Sequence, residues 1–168
     1  YLDNFPNAQD NYEIMYYYAD MAYFRGNYAT AAKSYERALD LNENGEFSKD
    51  AAHGAVLAYE KLMKSTNEED KAACPDIPET PEAAEGEEQE YPEYEIAECR
   101  LNLIKASKRY AKIDTSAEFA INAKYMAAQI YFDYNHFDEA KPLFLEITHE
   151  NPEHELAVLS ANYLLDSY

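Results

Sequence analysis

"RGNYATAAKSYERALDLNEN", residues Arg25–Asn44, is the stretch whose reading decides the fold. Tyr28, Ala31, Tyr35, Ala38 and Leu39 recur at the three- and four-residue steps of one helical face. Gly26-Asn27 in front of them is a helix stop, because glycine adopts the left-handed backbone that closes a helix. A shift of 109 residues brings up "YNHFDEAKPLFLEITHENPE", Tyr134–Glu153. Most letters differ, yet small and aromatic residues keep their places. That is a constraint of packing rather than of chemistry.

Working outward, "NYEIMYYYADMAYF" (Asn11–Phe24) predicts the partner helix, with Met15, Tyr18, Ala19 and Ala22 as its apolar stripe. Asn42–Gly45 ends the second helix. Ser48 as N-cap and Asp50 in the first turn open a third, striped by Ala51, Gly54, Ala55, Ala58 and Leu62. Its small side chains allow close approach of a neighbour. Ile96, Cys99, Leu103, Ala106, Tyr110 and Ile113 mark a later helix. Thr115-Ser116 with Glu118 begins another, carrying Tyr125, Ala127, Ala128 and Tyr131. After the break at Tyr134–His136 comes a helix with Phe137, Ala140, Phe144 and Ile147, with Pro142 near its start. "HELAVLSANYLLDSY" supplies the last helix. The expected class is all-α, antiparallel helix pairs joined by short turns.

One segment breaks this regularity. Ser65–Glu98 holds 13 acids, one lysine and four of the seven prolines, and so contributes −12 of the net charge of −19. Its centre reads as a solvated insertion, with order resuming near Tyr94. Ala19, Ala55 and Ala128 occupy corresponding places; the 73 residues between the last two exceed a repeat of about 34 by roughly the insertion's length. The organisation is therefore residues 1–10 as the tail of a preceding repeat, 11–46 as the first repeat and 47–114 as the second. That second repeat is interrupted at 65–93. Residues 115–152 form the third, and 153–168 the first helix of a following unit or a capping helix.

The remaining bulk properties bound the function. The negative field opposes nucleic-acid phosphates and anionic membrane surfaces. No apolar run is long enough to span a bilayer. Seventeen tyrosines and no tryptophan supply large rings that each need a partner or solvent for the hydroxyl. The sequence begins at Tyr1 rather than Met and reads as a segment of a longer protein.

These residues resemble the tetratricopeptide repeat family. Its pattern of small residues, aromatics and a Gly-aromatic turn is met by Ala19, Tyr23, Gly26-Asn27-Tyr28, Ala31, Tyr35 and Ala38. Ala128, Tyr131, Phe137, Ala140, Phe144 and Pro152 meet it again. In the second unit Ala55, Ala58 and Tyr59 fit, and Leu62 stands where the turn glycine belongs. The N-terminal stretch is also similar to envelope-associated bacterial repeats: the outer-membrane assembly lipoprotein, the Tol-associated division coordinator and the adventurous gliding-motility proteins. The resemblance implies a right-handed superhelical solenoid that binds a partner protein, with bacterial periplasm or envelope favoured over cytoplasm. It also implies a concave groove built mostly from the first helix of each pair. Carried over, the groove residues are Tyr16, Asp20 and Tyr23, then Tyr59, then Tyr125, Gln129 and Phe132. Structural spacing within a longer array is the alternative role.

Arg100, Lys105, Lys108, Arg109 and Lys112 form a basic helix directly after the acidic run. They are candidates to receive the folded-back insertion, which would then be a regulatory or docking element. Cys74 and Cys99 are the candidate disulfide pair, although Cys99 on an apolar stripe also suits a free buried thiol. His53, His136, His149 and His154 lack metal-ligand spacing with cysteine. No phosphate loop, nucleophile elbow or HExxH motif occurs, so neither enzyme activity, cofactor, metal nor small-molecule substrate is expected.

Overall fold

The stripes and stop signals produce eight helices in the computed structural model, which describes residues 10–81, 89–115 and 118–166. They are α1 (Asn11–Phe24), α2 (Tyr28–Leu41), α3 (Ser48–Met63), α4 (Glu68–Ala73), α5 (Glu98–Ile113), α6 (Glu118–Asp133), α7 (Phe137–Glu150) and α8 (Glu155–Asp166). No strand occurs among the described residues. Apart from the short α4, each helix packs chiefly on the one before and the one after it, the contact pattern of a helical-repeat stack. The expected tail at 1–9, the Ser116 helix start and residues 82–88 of the insertion lie outside the described residues.

Internal repetition is visible in the backbone. α2 and α7 have bounds that differ by the same 109 residues at both ends. The turns before them match bond for bond. Asn27 N–H reaches the Ala22 carbonyl at 2.9 Å and Gly26 N–H the Tyr23 carbonyl at 3.0 Å. At the second copy His136 N–H reaches Tyr131 and Asn135 N–H reaches Phe132, at 2.8 and 2.9 Å. This is the Schellman closure, and its left-handed residue is Gly26 (φ 79°) in one copy and Asn135 (φ 63°) in the other. Asparagine is among the few residues besides glycine that tolerate this backbone.

The core follows from small residues that let rings in. Ala19, Ala31, Ala38, Ala51, Ala55 and Ala58 are buried, as are Tyr35 and Tyr59. A β-carbon added to Gly54 would stand 2.6 Å from the Tyr35 ring, so that ring lies directly on the α3 backbone. In the second copy Phe144 is wholly buried and stacks on Tyr163 of α8, centroids 5.0 Å apart. Position 163 is 54 shifted by 109. One seam is filled by a ring against backbone, the other by a ring against a ring.

Several expectations are corrected. Tyr18 does not join the α1 stripe but faces solvent, and Tyr12 is buried in its stead. The Tyr12 hydroxyl accepts the Phe47 N–H at 2.7 Å, tying α1 to the α2–α3 turn. Ser48 does not cap α3. It is the first helical residue, and its hydroxyl donates to the Asn42 carbonyl at 3.0 Å. Pro142 sits inside α7, beyond the first turn, and so removes one helical hydrogen bond. The start of the insertion is not loop: Asn67 caps α4, accepting the Asp70 N–H at 2.7 Å.

Cys99 is not a free thiol, for Cys74 and Cys99 form a disulfide. Bridging a separation of 25 residues restricts the unfolded chain by about 3 kcal/mol in the chain-entropy treatment. That offsets much of the cost of anchoring a proline-rich, acidic segment with few core contacts of its own.

The turn makes a direct prediction. Gly26→Ala forces a β-carbon into left-handed backbone and lowers stability by about 1–2 kcal/mol. Gly26→Asn, which copies position 135, costs less than half of that. Denaturant unfolding of the two variants checks it; equal losses would contradict the turn assignment.

Candidate protein-binding face

α1 and α3 touch one another, as do α6 and α8, so the first helices of successive pairs share one side of the stack. Rings and polar side chains on that side form two clusters, each built around three corresponding positions of α1 and α6. In the first, the half-buried Tyr16 ring stacks on Phe47 at 4.6 Å and tilts toward Tyr35 at 6.1 Å. The Tyr35 hydroxyl donates to the Asp20 carboxylate at 2.5 Å. Tyr23 meets Tyr28 edge-on at 5.6 Å.

The second cluster joins Tyr125, Gln129 and Phe132 to Tyr163. Gln129 Nε2 donates to the hydroxyls of Tyr125 and Tyr163, both at 3.3 Å. Phe132 meets Tyr163 edge-on at 4.7 Å and Phe137 at 5.2 Å. An amide between two phenols keeps each hydroxyl satisfied while the ring faces stay half open.

Tyr59 belongs to neither cluster. It is 2% exposed, and its hydroxyl donates to Glu36 of α2 at 2.7 Å, so it works between helices and borders only a cleft of about 80 Å³ shared with α2, α4 and α5. Burial raises the Glu36 carboxyl above its ordinary value, and the Tyr59 hydrogen bond pulls it partly back. The sequence reading overlooked Phe47 and Tyr163. Both lie at the start or middle of a following helix, and their involvement depends on how successive pairs stack, not on any local pattern.

The basic helix α5 is used differently from the expectation. Arg100 is buried. Its Nε donates to the Tyr134 hydroxyl and a terminal nitrogen to the Pro75 carbonyl, each at 2.9 Å. Arg109 pairs with Asp40 at 2.8 Å and Glu43 at 2.9 Å, both contributed by the α2 region. The Lys108 ammonium lies 5.6 Å from the centre of the Tyr131 ring, and Lys105 acts on Glu36 through its charge. Lys112 lies on the wall of a cleft of about 210 Å³ between α5, α6 and α7. Among the described residues no ion pair joins these five cations to the acids of the insertion.

The insertion is instead held through its backbone. Tyr94 N–H donates to the Tyr134 carbonyl at 3.1 Å, and Asn135 Nδ2 to the Pro92 carbonyl at 2.8 Å. His136 Nε2 meets the Tyr94 carbonyl at 2.8 Å, and Tyr91 lies edge-on to Phe137 at 6.0 Å. The returning arm of the insertion thus crosses the α6–α7 turn, while Cys74 and Pro75 fix the outgoing arm to α5. Backbone groups of the insertion make most of these contacts; of its described acids Glu68, Glu69, Asp76, Glu79, Glu90 and Glu93 are exposed, whereas Asp70 is buried and accepts from Asn67.

Among the described residues no group of three or more His, Cys, Asp or Glu side chains is placed to hold a metal ion, and no helix is long and apolar enough to cross a membrane. Comparison of the sequence with models of known protein families finds no match, and comparison with curated proteins finds none.

Burial raises the phenols of Tyr16 and Tyr125 to about 12, with help from Asp20 in the first case and Tyr163 in the second. Tyr35 and Tyr59 are raised too, by burial first and then by Asp20 and Glu36 respectively. A phenol raised in the folded state keeps its proton where the unfolded chain has lost it. Its contribution is therefore full below pH 10 and falls as pH rises beyond that. Absorbance at a phenolate wavelength, followed with helical circular dichroism, should show these four tyrosines ionising only as helix is lost. Complete phenol ionisation near pH 10 with the helices intact would contradict the packing described.

Proposed function

We propose that the chain is a protein-binding scaffold of the tetratricopeptide type, which holds an extended or helical segment of a partner protein against the side formed by α1, α3, α6 and α8. On this reading that side is the concave face of a right-handed superhelix, and the domain boundaries follow the repeats given by the sequence. The observation that carries it is the repetition of half-open aromatic and polar groups at matching positions. Tyr16, Asp20 and Tyr23 in α1 correspond to Tyr125, Gln129 and Phe132 in α6, each pair 109 residues apart. Architecture alone requires the alanines and the inward rings. It does not require large, half-open aromatics on the outward side, whereas a bound peptide gains area from them at small rotamer cost.

The chain performs no chemistry of its own in this proposal; it brings proteins together. Its compartment is an oxidising one, in keeping with the Cys74–Cys99 disulfide and with the resemblance to bacterial envelope proteins. A second role is favoured by the clamped insertion. Most of its described carboxylates are exposed, which suits docking of a basic partner segment.

Site-specific photo-crosslinking tests the main reading. A benzophenone amino acid replaces Tyr23 or Tyr125 in one set of proteins and Glu146, an exposed residue of α7 outside both clusters, in another. Irradiation in the source cells should give the same discrete adduct from positions 23 and 125 and none from 146. Adducts only from 146, or none at any position, would contradict it.

A further inference from the structure

The cleft of about 210 Å³ where α5, α6 and α7 meet lies inside the stack rather than at an end of it. α5 packs on α3 and α6, and α7 packs on α6 and α8. Ala111, Ala127 and Leu143 give the cleft an apolar lining, and the two alanines leave it room. Ser107 borders it as well. That side chain is buried, and its hydroxyl has no hydrogen-bond partner among the described residues. A serine within a helix commonly turns back to a carbonyl of the preceding turn, as Ser34 does to Thr30 at 2.7 Å. Ser107 does not, so a buried donor stands unused beside an apolar hollow.

The rim is cationic. Lys108, Lys112 and Lys124 border the cleft against one acid, Glu146, in a chain whose net charge is −19. Lys124 already pairs with Glu146 at 3.1 Å. The Lys108 ammonium rests over the Tyr131 ring. Among the described residues no ion pair joins Lys108 or Lys112 to a carboxylate.

We propose that this cleft is a binding site for a small monocarboxylate whose apolar body is one aromatic ring or a branched alkyl group. One turn of α5 brings the Ser107 hydroxyl and the Lys108 and Lys112 ammoniums to the same wall, where they receive the carboxylate. The apolar body lies across the cleft against Ala127 and Leu143. Size sets that body. A cavity of about 150 Å³ takes a benzene ring, so 210 Å³ holds a ring and a short acid arm. Charge and shape set the head group. Two ammoniums and a hydroxyl suit a carboxylate. No arginine borders the cleft to fork onto a phosphate, and the apolar lining disfavours a dianion. None of the residues of the proposed partner face lines it, so the site is separate from that face.

The full chain, isotope-labelled, is titrated with phenylacetate, with phenylacetamide and with inorganic phosphate, and its amide resonances are followed. Phenylacetate should shift Ser107, Ala111, Ala127 and Leu143 saturably. It should bind about tenfold more tightly than the amide, a difference of about 1.4 kcal/mol. Phosphate should shift none of the four. Lys108→Gln with Lys112→Gln, both at exposed positions, should abolish the preference for acid over amide. Ser107→Ala should weaken phenylacetate binding several-fold while the melting temperature of the free chain holds or rises, because it removes a buried unpaired hydroxyl. A serine that only packs would leave the affinity alone. The proposal is overturned by no saturable shift at these four residues, by equal affinity for the amide, or by phosphate matching phenylacetate. An unchanged affinity in Ser107→Ala, or an unchanged preference in the double lysine variant, overturns it as well.

Discussion

An aromatic ring from the second helix of a pair, pressed against the first helix that follows, is the contact on which the rest depends. Tyr35 lies on the backbone of Gly54, and Phe144 lies on Tyr163. Because this contact joins one pair to the next, it sets the spacing of α1 from α3 and of α6 from α8. That spacing brings Gln129 of α6 to the Tyr163 hydroxyl of α8, while the Tyr35 hydroxyl reaches Asp20 within its own pair. The open groups of the face are therefore positioned by a buried one. Ring burial of this kind is worth several kcal/mol per residue, far more than the exposed ion pairs elsewhere in the chain.

The insertion shows how an acidic, proline-rich segment is tolerated inside such a stack. A disulfide and a buried arginine hold one arm; backbone hydrogen bonds to the α6–α7 turn hold the other. Asn135 serves twice there. Its backbone closes the helix in the left-handed conformation, and its side chain binds Pro92. Glycine, which stands at position 26, supplies only the first of these. The clamp thus depends on a residue that the repeat alone leaves free to vary.

Much of this fold was legible in the sequence because its causes are local. Gly26-Asn27, the alanine spacing and the 109-residue shift report helix ends and stripes directly, and α2 and α7 agree to the residue. Tyr16, Asp20 and Tyr23 in α1, and Tyr125, Gln129 and Phe132 in α6, were legible as corresponding positions on a helix face. Their partners were not, since Phe47 and Tyr163 enter through packing between pairs. Tyr59 shares the helix position but is buried, because α2 offers it Glu36 and α5 covers it. Arg100 looked like one of five equivalent cations; only the tertiary fold brings Pro75 and Tyr134 within its reach. Tyr18 fits the apolar period of α1 equally well on either side, and periodicity cannot say which side has a neighbour.

The contact between Tyr35 and Gly54 is tested most directly by a double-mutant cycle on unfolding free energy. Gly54→Ala in the native background should destabilise by about 1–3 kcal/mol, the cost of overpacking a ring against a helix. Combined with Tyr35→Leu, which withdraws the ring, the same change should cost little, or stabilise by up to about 1 kcal/mol through helix propensity. Equal effects of Gly54→Ala in both backgrounds, or a gain in the native one, would contradict the account.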